Sequence, residues 1–264
     1  MLITTAAVVL RTYRYSETSK VVRLATRDLG VQSAIAKGAL RPKSRFGAGL
    51  ELLSEGQAQL YHRNERELQT LAAFDVERLR RELADDLARF AAASALAEIM
   101  LRMAPPAPLP AAYDALTTGL DGLASQPADD VDATGVRAAW LLLGILGFAP
   151  SLDRCVRDGA MIAAADDPIV FSAAEGGAIC DACVQRNPPA VCTRLPPEAY
   201  VDLLHLVDDA APLPRLDPAH AAAHRRLAAR FARYHLEEPA SGSPALEFWE
   251  RRTWLPTPAP TVAS

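Results

Sequence analysis

The chain lacks cysteine along most of its length: of 264 residues only four are cysteine, all between positions 155 and 192. It also has no run approaching the roughly 18 to 20 apolar residues that cross a bilayer. Its first 25 residues carry charged and tyrosine side chains where a leader would be apolar. Both features indicate a cytoplasmic protein, in which a disulfide framework is not expected. Equally missing are a G-x4-G-K-[ST] phosphate loop, a G-x-G-x-x-G turn, an H-E-x-x-H helix and a G-x-S-x-G elbow. The spacings by which common nucleotide-binding and hydrolytic sites announce themselves are therefore absent.

What is present is ordinary in amount but uneven in placement. Half the residues are apolar and 23% are charged, the balance of a folded globular chain. The length suits one large domain or two modest ones. A net charge of -4 argues against a polyanionic partner, yet residues 1–50 hold nine basic side chains and two acidic ones, or +7. The remainder therefore carries -4 - 7 = -11. Such asymmetry suits a chain whose basic part meets a polyanion while its acidic part maintains solubility.

The periodicity also divides the chain. Val8 to Leu10, Val21 to Thr26 and Val31 to Ala36 are β-prone runs, with Asp28-Leu29-Gly30 as a turn between the last two. Leu50 to Leu53 and Gln57 to Tyr61 read as two further strands, and five short strands in this length suggest an oligonucleotide-binding (OB-fold) barrel. After Asn64 the spacing of Val76, Leu79, Leu83, Leu87, Phe90, Ala97 and Leu101 predicts one long amphipathic helix. Further helices are expected at 111–123, after an Asp132 cap, at 196–207 and from Asp217-Pro218 to about Leu236, with a short docking helix at 246–252. The fold class is α+β and multidomain. An OB-fold domain spans 1–78 and an α-helical domain 79–239, the latter carrying a cysteine-rich, zinc-finger-like insertion at 150–195. A tail rich in Pro, Ser and Thr covers 240–264.

Cys180-Asp181-Ala182-Cys183 is a C-x2-C knuckle, the spacing that lets two thiolates hold one tetrahedral ion. Cys155 is placed to start a second knuckle, but its partner position is Asp158. Either Asp158 or Cys192 completes the set for a structural Zn2+, and a site that has lost its metal, with Cys155 simply packed, also remains open. The insertion itself reads as loop-rich, with too few apolar residues to fold unaided. His220 and His224 stand one helical turn apart, which more often marks a solvated face than a metal pair.

The most informative run is Ala36 to Gly47, "AKGALRPKSRFG", preceded by "RYSETSKVVRLATRDLG" from Arg14 to Gly30. Arg14, Lys20, Arg23, Arg27, Lys37, Arg41, Lys43 and Arg45 supply cations for a phosphate backbone, and Tyr13, Tyr15 and Phe46 offer rings for unpaired bases. Core packing is the competing role for Tyr13 and Phe46. These runs, with Leu146-Gly147-Phe148-x-Pro150, Phe171-Ser172, Gly176-Gly177, the knuckle and Tyr234-His235-Leu236, resemble the bacterial RecO family of recombination mediators over nearly the whole chain. Asp158 departs from that family's four-cysteine form. The resemblance implies a non-enzymatic protein that binds single- and double-stranded DNA and anneals complementary strands. It also implies cooperation with RecR in loading RecA onto DNA coated by single-strand-binding protein. The acidic tail of that protein would dock on the helical domain, with Arg225, Arg226, Arg230 and Arg233 as candidate contacts. Two readings from other classes stand beside it: a metal-assisted nuclease using Asp158 and Asp181, and a protein adaptor that binds no DNA.

Overall fold

The computed structural model describes residues 1–46, 49–63, 65–162, 167–236 and 242–252. Strand β1 (Leu2–Arg14) is long enough to pair on both edges, antiparallel with β2 (Lys20–Thr26) and with β4 (Glu55–Tyr61). Strand β3 (Gly30–Ala36) follows β2 through the expected turn, and β5 (Leu68–Arg78) pairs parallel with β3 and antiparallel with β4. The ring β1-β2-β3-β5-β4 closes into a barrel. Ala7, Val9, Val22, Leu24, Ala34, Ala36, Ala58 and Leu60 fill its interior at every second position, as a strand with one buried face requires.

Two sequence expectations fail here for one kind of reason. Residues 50–53 are not a strand. Leu50 and Leu53 are buried in a turn where Leu53 adopts φ +68° and its N–H donates to the Val9 carbonyl at 2.8 Å. The fifth strand lies instead at 68–78, in place of the start of the expected helix. Leu71 and Phe74 both point into the barrel although three residues apart, because the β4–β5 register shifts there: Leu60 faces Leu71 while Gln59 faces Ala73. The skipped Ala72 converts a strand's period of two into a spacing that imitates a helix.

The long helix expected after the barrel is two helices, α1 (Glu82–Asp85) and α2 (Leu87–Met103), broken at Asp86, whose carboxylate caps the Arg89 N–H at 2.9 Å. Nor is α2 amphipathic. Ala91 through Met100 are all buried, since α3 (Pro110–Ser125), α4 (Val131–Ile145) and α8 (Pro244–Arg251) pack around it. Asp132, expected to cap α4, instead lies within its first turn and binds Arg225 at 3.1 Å and Arg252 at 2.7 Å. Helices α6 (Pro197–Leu206) and α7 (Pro218–Tyr234) begin at prolines as expected, and Asp217 caps α7 through the N–H groups of Ala219 and His220. Helix α8 buries Leu246 and Trp249, and the Glu98 carboxylate accepts its Ala245 and Leu246 N–H groups at 2.9 Å each. The remaining tail, 253–264, and residues 237–241 lie outside the described residues.

The insertion between α4 and α6 is better ordered than a loop. It contains a three-stranded sheet of β6 (Ile169–Ser172), β7 (Gly177–Ile179) and β8 (Thr193–Leu195), in the order β7-β6-β8, and the short helix α5 (Asp181–Arg186). Val170, Phe171, Ala178, Ile179 and Leu195 join the main apolar core, so the insertion shares the helical domain's core and does not depend on its cysteines alone.

Barrel and helices are fastened together. Val8, Leu10, Ala25 and Val31 on the outside of the barrel belong to the same apolar cluster as α2. Gly30, at φ +71°, lies so close to the α2–α3 connection that a Cβ there would stand 2.3 Å from the Ala107 carbonyl oxygen. Arg80, its side chain 4% exposed, binds Glu55 of the barrel and Asp121 of α3. No described helix is long and apolar enough to cross a membrane.

Candidate nucleic-acid interface and metal centre

The cations singled out in the first 50 residues divide into three groups. Lys37, Arg41, Lys43 and Arg45 are exposed or half-exposed on the loop after β3, and among the described residues none is ion-paired. That loop is folded on itself and on its neighbour: the Ser44 N–H donates to the Arg41 carbonyl at 3.0 Å, and the Leu40 N–H to the Thr18 carbonyl in the β1–β2 turn at 2.9 Å. The second bond sets the loop beside Arg14 and Lys20, which face each other across the end of the β1–β2 ladder. Six cations therefore gather at one end of the barrel.

The other three residues sort differently. Arg27 points at the helical domain and binds both oxygens of Asp114, at 3.0 and 3.1 Å, which makes it a domain fastener with its charge already met. Its guanidinium pKa is raised, first by that hydrogen bond and then by the charge of Asp114. Phe46 is 3% exposed inside the barrel, with the Arg45 guanidinium 5.1 Å from its ring centre. It anchors the basic loop and offers no face to a base. Arg23 lies farther along the ladder, opposite Arg11. Tyr13 and Tyr15 remain available for stacking, 46% and 62% exposed. Gly47, the end of the basic motif, lies outside the described residues.

In the insertion, Cys155, Asp158, Cys180 and Cys183 each bring a ligand atom to within 4.8 Å of the others. Cys192 is exposed and is not among them. Cys155 begins a tight turn, Cys180 is the N-cap of α5 and Cys183 sits in its first turn, and backbone N–H groups surround the Cys155 sulfur. The Cys183 sulfur is 3.1 Å from an Asp158 oxygen and the Cys180 sulfur 3.5 Å. Around a tetrahedral ion with sulfur at about 2.3 Å and oxygen at about 2.1 Å, such edges measure about 3.6 Å. The donor set thus has the size and the mixture of thiolates and carboxylate that a zinc-type ion accepts.

Protons are shared across this cluster in a consistent direction. The hydrogen bond to Asp158, then burial, pushes the Cys183 thiol up to about 12, and the same bond holds the Asp158 carboxyl well below the usual carboxylate range. Burial opposes ionisation of Cys155, but backbone N–H groups of Cys180, Arg157 and Asp158 prevail and lower it. Arg157 holds the framework: its guanidinium bonds both oxygens of Glu175 at 2.6 Å, the Cys183 carbonyl at 3.1 Å and the Asn187 carbonyl. Sequence pattern gives no sign of this clamp, because an arginine beside a cysteine has no characteristic spacing to its partners.

On the helical domain, three of the four candidate arginines already have carboxylates. Arg225, 2% exposed, binds Asp132, and Arg230 and Arg233 bind Glu250, the former at 2.9 Å. Only Arg226 of that set has no ion pair among the described residues. The two histidines of α7 part company as well. His220 pairs with Asp217 at 2.8 Å, whereas His224 is buried and desolvation lowers its pKa to about 4, which keeps it neutral.

Comparison with known proteins adds the family context. The N-terminal model of recombination protein O matches residues 1–80, and its C-terminal model matches residues 84–244. A DNA repair protein RecO from Symbiobacterium thermophilum is 34% identical over 186 residues, covering 70% of this chain and 72% of the relative.

Proposed function

The chain belongs to the RecO family of DNA repair and recombination proteins, and from that premise we propose that it binds single- and double-stranded DNA through the basic end of its barrel and anneals complementary strands. The observation that carries this reading is the gathering of Arg14, Lys20, Lys37, Arg41, Lys43 and Arg45 on one end of the barrel, exposed or half-exposed and without carboxylate partners among the described residues. Free guanidinium and ammonium groups there can exchange their counterions for phosphates of two strands at once, which reduces the repulsion that opposes pairing. No covalent bond is made or broken in this work. RecR, RecA and single-strand-binding protein are the partners that the family supplies for such a mediator.

An annealing assay tests the reading. Two complementary labelled strands should pair faster with the protein than without it, and the acceleration should fall steeply as salt rises. No acceleration together with no gel shift would leave only the adaptor reading. Labelled DNA held with the protein and magnesium or manganese should stay intact, and accumulating fragments would favour a nuclease instead.

For the knuckle we propose a structural zinc ion held by Cys155, Cys180, Cys183 and Asp158. The ion's chemistry there is to take the place of the thiol protons now shared with Asp158. Support comes from the mutual approach of the four side chains and the exclusion of Cys192 from their cluster. Purified protein should carry one zinc per chain by elemental analysis. Asp158→Ala should lose most of it and Cys192→Ala should retain it; the opposite order would assign Cys192 as the ligand.

A further inference from the structure

Where the outside of the barrel meets the helical domain, a cleft of about 570 Å3 opens between β1, β2, the end of α2 and the end of α7. We propose that this cleft binds a phosphodiester and its unpaired base, so that a single strand leaving the basic end of the barrel runs on between the two domains. This rests on the DNA-binding reading above and extends it to residues of the helical domain that are distant in sequence from the basic loop.

Three observations carry the proposal. First, Arg11 of β1 and Arg23 of β2 are directly opposite each other in the antiparallel ladder. Like charges at that position repel, and an anion between them removes the penalty. The β1–β2 register shifts between Val9 and Arg11, as at a bulge, and this sends both Leu10 and Arg11 to the outer face, Leu10 into the helical core and Arg11 into the cleft. Second, among the described residues the cleft lining includes no carboxylate. The nearby Glu98 is taken up by Arg102 of the cleft wall, 3.5 Å from one oxygen, and by two N–H groups of α8 that hold the other, while Arg11 and Arg23 have no ion pair among the described residues. The Arg23 Nε is buried with no hydrogen-bond partner among the described residues.

Third, the cationic wall is interleaved with rings. Tyr13 lies under the Arg11 guanidinium at 5.4 Å, and Phe148 and His235 pack at a tilt on the opposite wall with centroids 5.2 Å apart. Guanidinium beside aromatic surface is the composition that tracks a single strand, with a phosphate on the charge and a base on the ring. A duplex keeps its bases stacked inside and has none to offer. The site is also continuous with the barrel end: the ladder that places Arg11 against Arg23 places Arg14 against Lys20, where the basic loop begins.

The test compares wild type with an Arg11→Ala/Arg23→Ala variant by fluorescence anisotropy on an oligothymidine strand and on a duplex of the same length. With two phosphates no longer neutralised, at about 0.7 counterions each, single-strand affinity near 0.1 M salt should fall about 25-fold and the log–log salt slope should become shallower by about 1.4. Duplex affinity should stay within about twofold of wild type. The variant should melt at the wild-type temperature or above it, since a repulsive pair has been removed. Equal losses on both DNAs, no loss on either, or a markedly lower melting temperature would each overturn the cleft assignment. Competition by an equal concentration of thymidine monophosphate would do so as well, because it would mark a pocket for free nucleotide. Failure of the wild type to bind either DNA is a separate outcome that removes the DNA-binding reading itself.

Discussion

Replacing Lys37, Arg41, Lys43 and Arg45 together by alanine is expected to weaken single-strand binding by two to three orders of magnitude near 0.1 M salt, about 600-fold if each cation meets one phosphate. The same arithmetic makes the log–log salt slope shallower by about 2.8, because each neutralised phosphate of a single strand releases about 0.7 counterions. Annealing should fall with binding. These four side chains have no carboxylate to leave stranded among the described residues, so their removal should leave stability nearly unchanged. The contrast is Arg27→Ala, which removes a cation of the same segment that is already held by Asp114. It should alter DNA binding little, and a loss as deep as that of the loop variant would mean that general charge, and not the loop, governs binding.

The largest effect on the fold is expected from Arg80→Ala. This guanidinium is enclosed between barrel and helices, with its Nε 2.7 Å from Asp121 and a terminal nitrogen on Glu55. Removing it leaves Glu55 as a largely enclosed carboxylate without its cation, beside Tyr113, whose hydroxyl reaches the same group at 3.4 Å. Breaking a buried pair from one side costs about 3 to 5 kcal/mol. Asp121 is more open and keeps Arg78 at 2.6 Å, so the lower end, about 3 kcal/mol, applies. For a chain of this size that corresponds to a melting temperature lower by about 6 to 12 °C. Lysine at the same position should rescue little, since one ammonium cannot span two carboxylates as the guanidinium fork does. A thermal midpoint unchanged in Arg80→Ala would show that the apolar packing of Val8, Leu10, Ala25 and Val31 with α2 fastens the domains without it.

Much of this architecture is legible in the sequence. The helices that begin at Pro197 and Pro218 fall where proline and Asp217 mark them, the helix expected from Ala111 begins at Pro110, and the interior residues of β1, β2 and β3 follow simple alternation. What escapes depends on events away from the local chain. The skipped Ala72 arises from pairing with β4 and breaks the alternation of β5, and Val76 and Leu79, read as the start of a helix face, are exposed at and after its end; Asp132 is drawn from capping to Arg225 and Arg252, which are far along the sequence. At the candidate site, the basic loop is readable because charge density survives without knowledge of partners. The fates of individual members are not. Arg27 and Phe46 belong to the same basic segment as Lys43, and only the tertiary structure separates a fastener and an anchor from a free cation. The cysteine cluster shows the same limit, since spacing leaves Asp158 and Cys192 equal and the fold of the insertion brings only Asp158 to the three sulfurs.

The location of the bound strand is the most direct point of decision. Photo-crosslinking of a bromouracil-substituted single strand, followed by mapping of the modified peptides, should place crosslinks in the loop between Gly38 and Phe46 and along the end of the β1–β2 ladder near Tyr13 and Tyr15. Crosslinks confined to the zinc-type insertion or to the face of α7 near Arg226, with none in the barrel, would contradict the account.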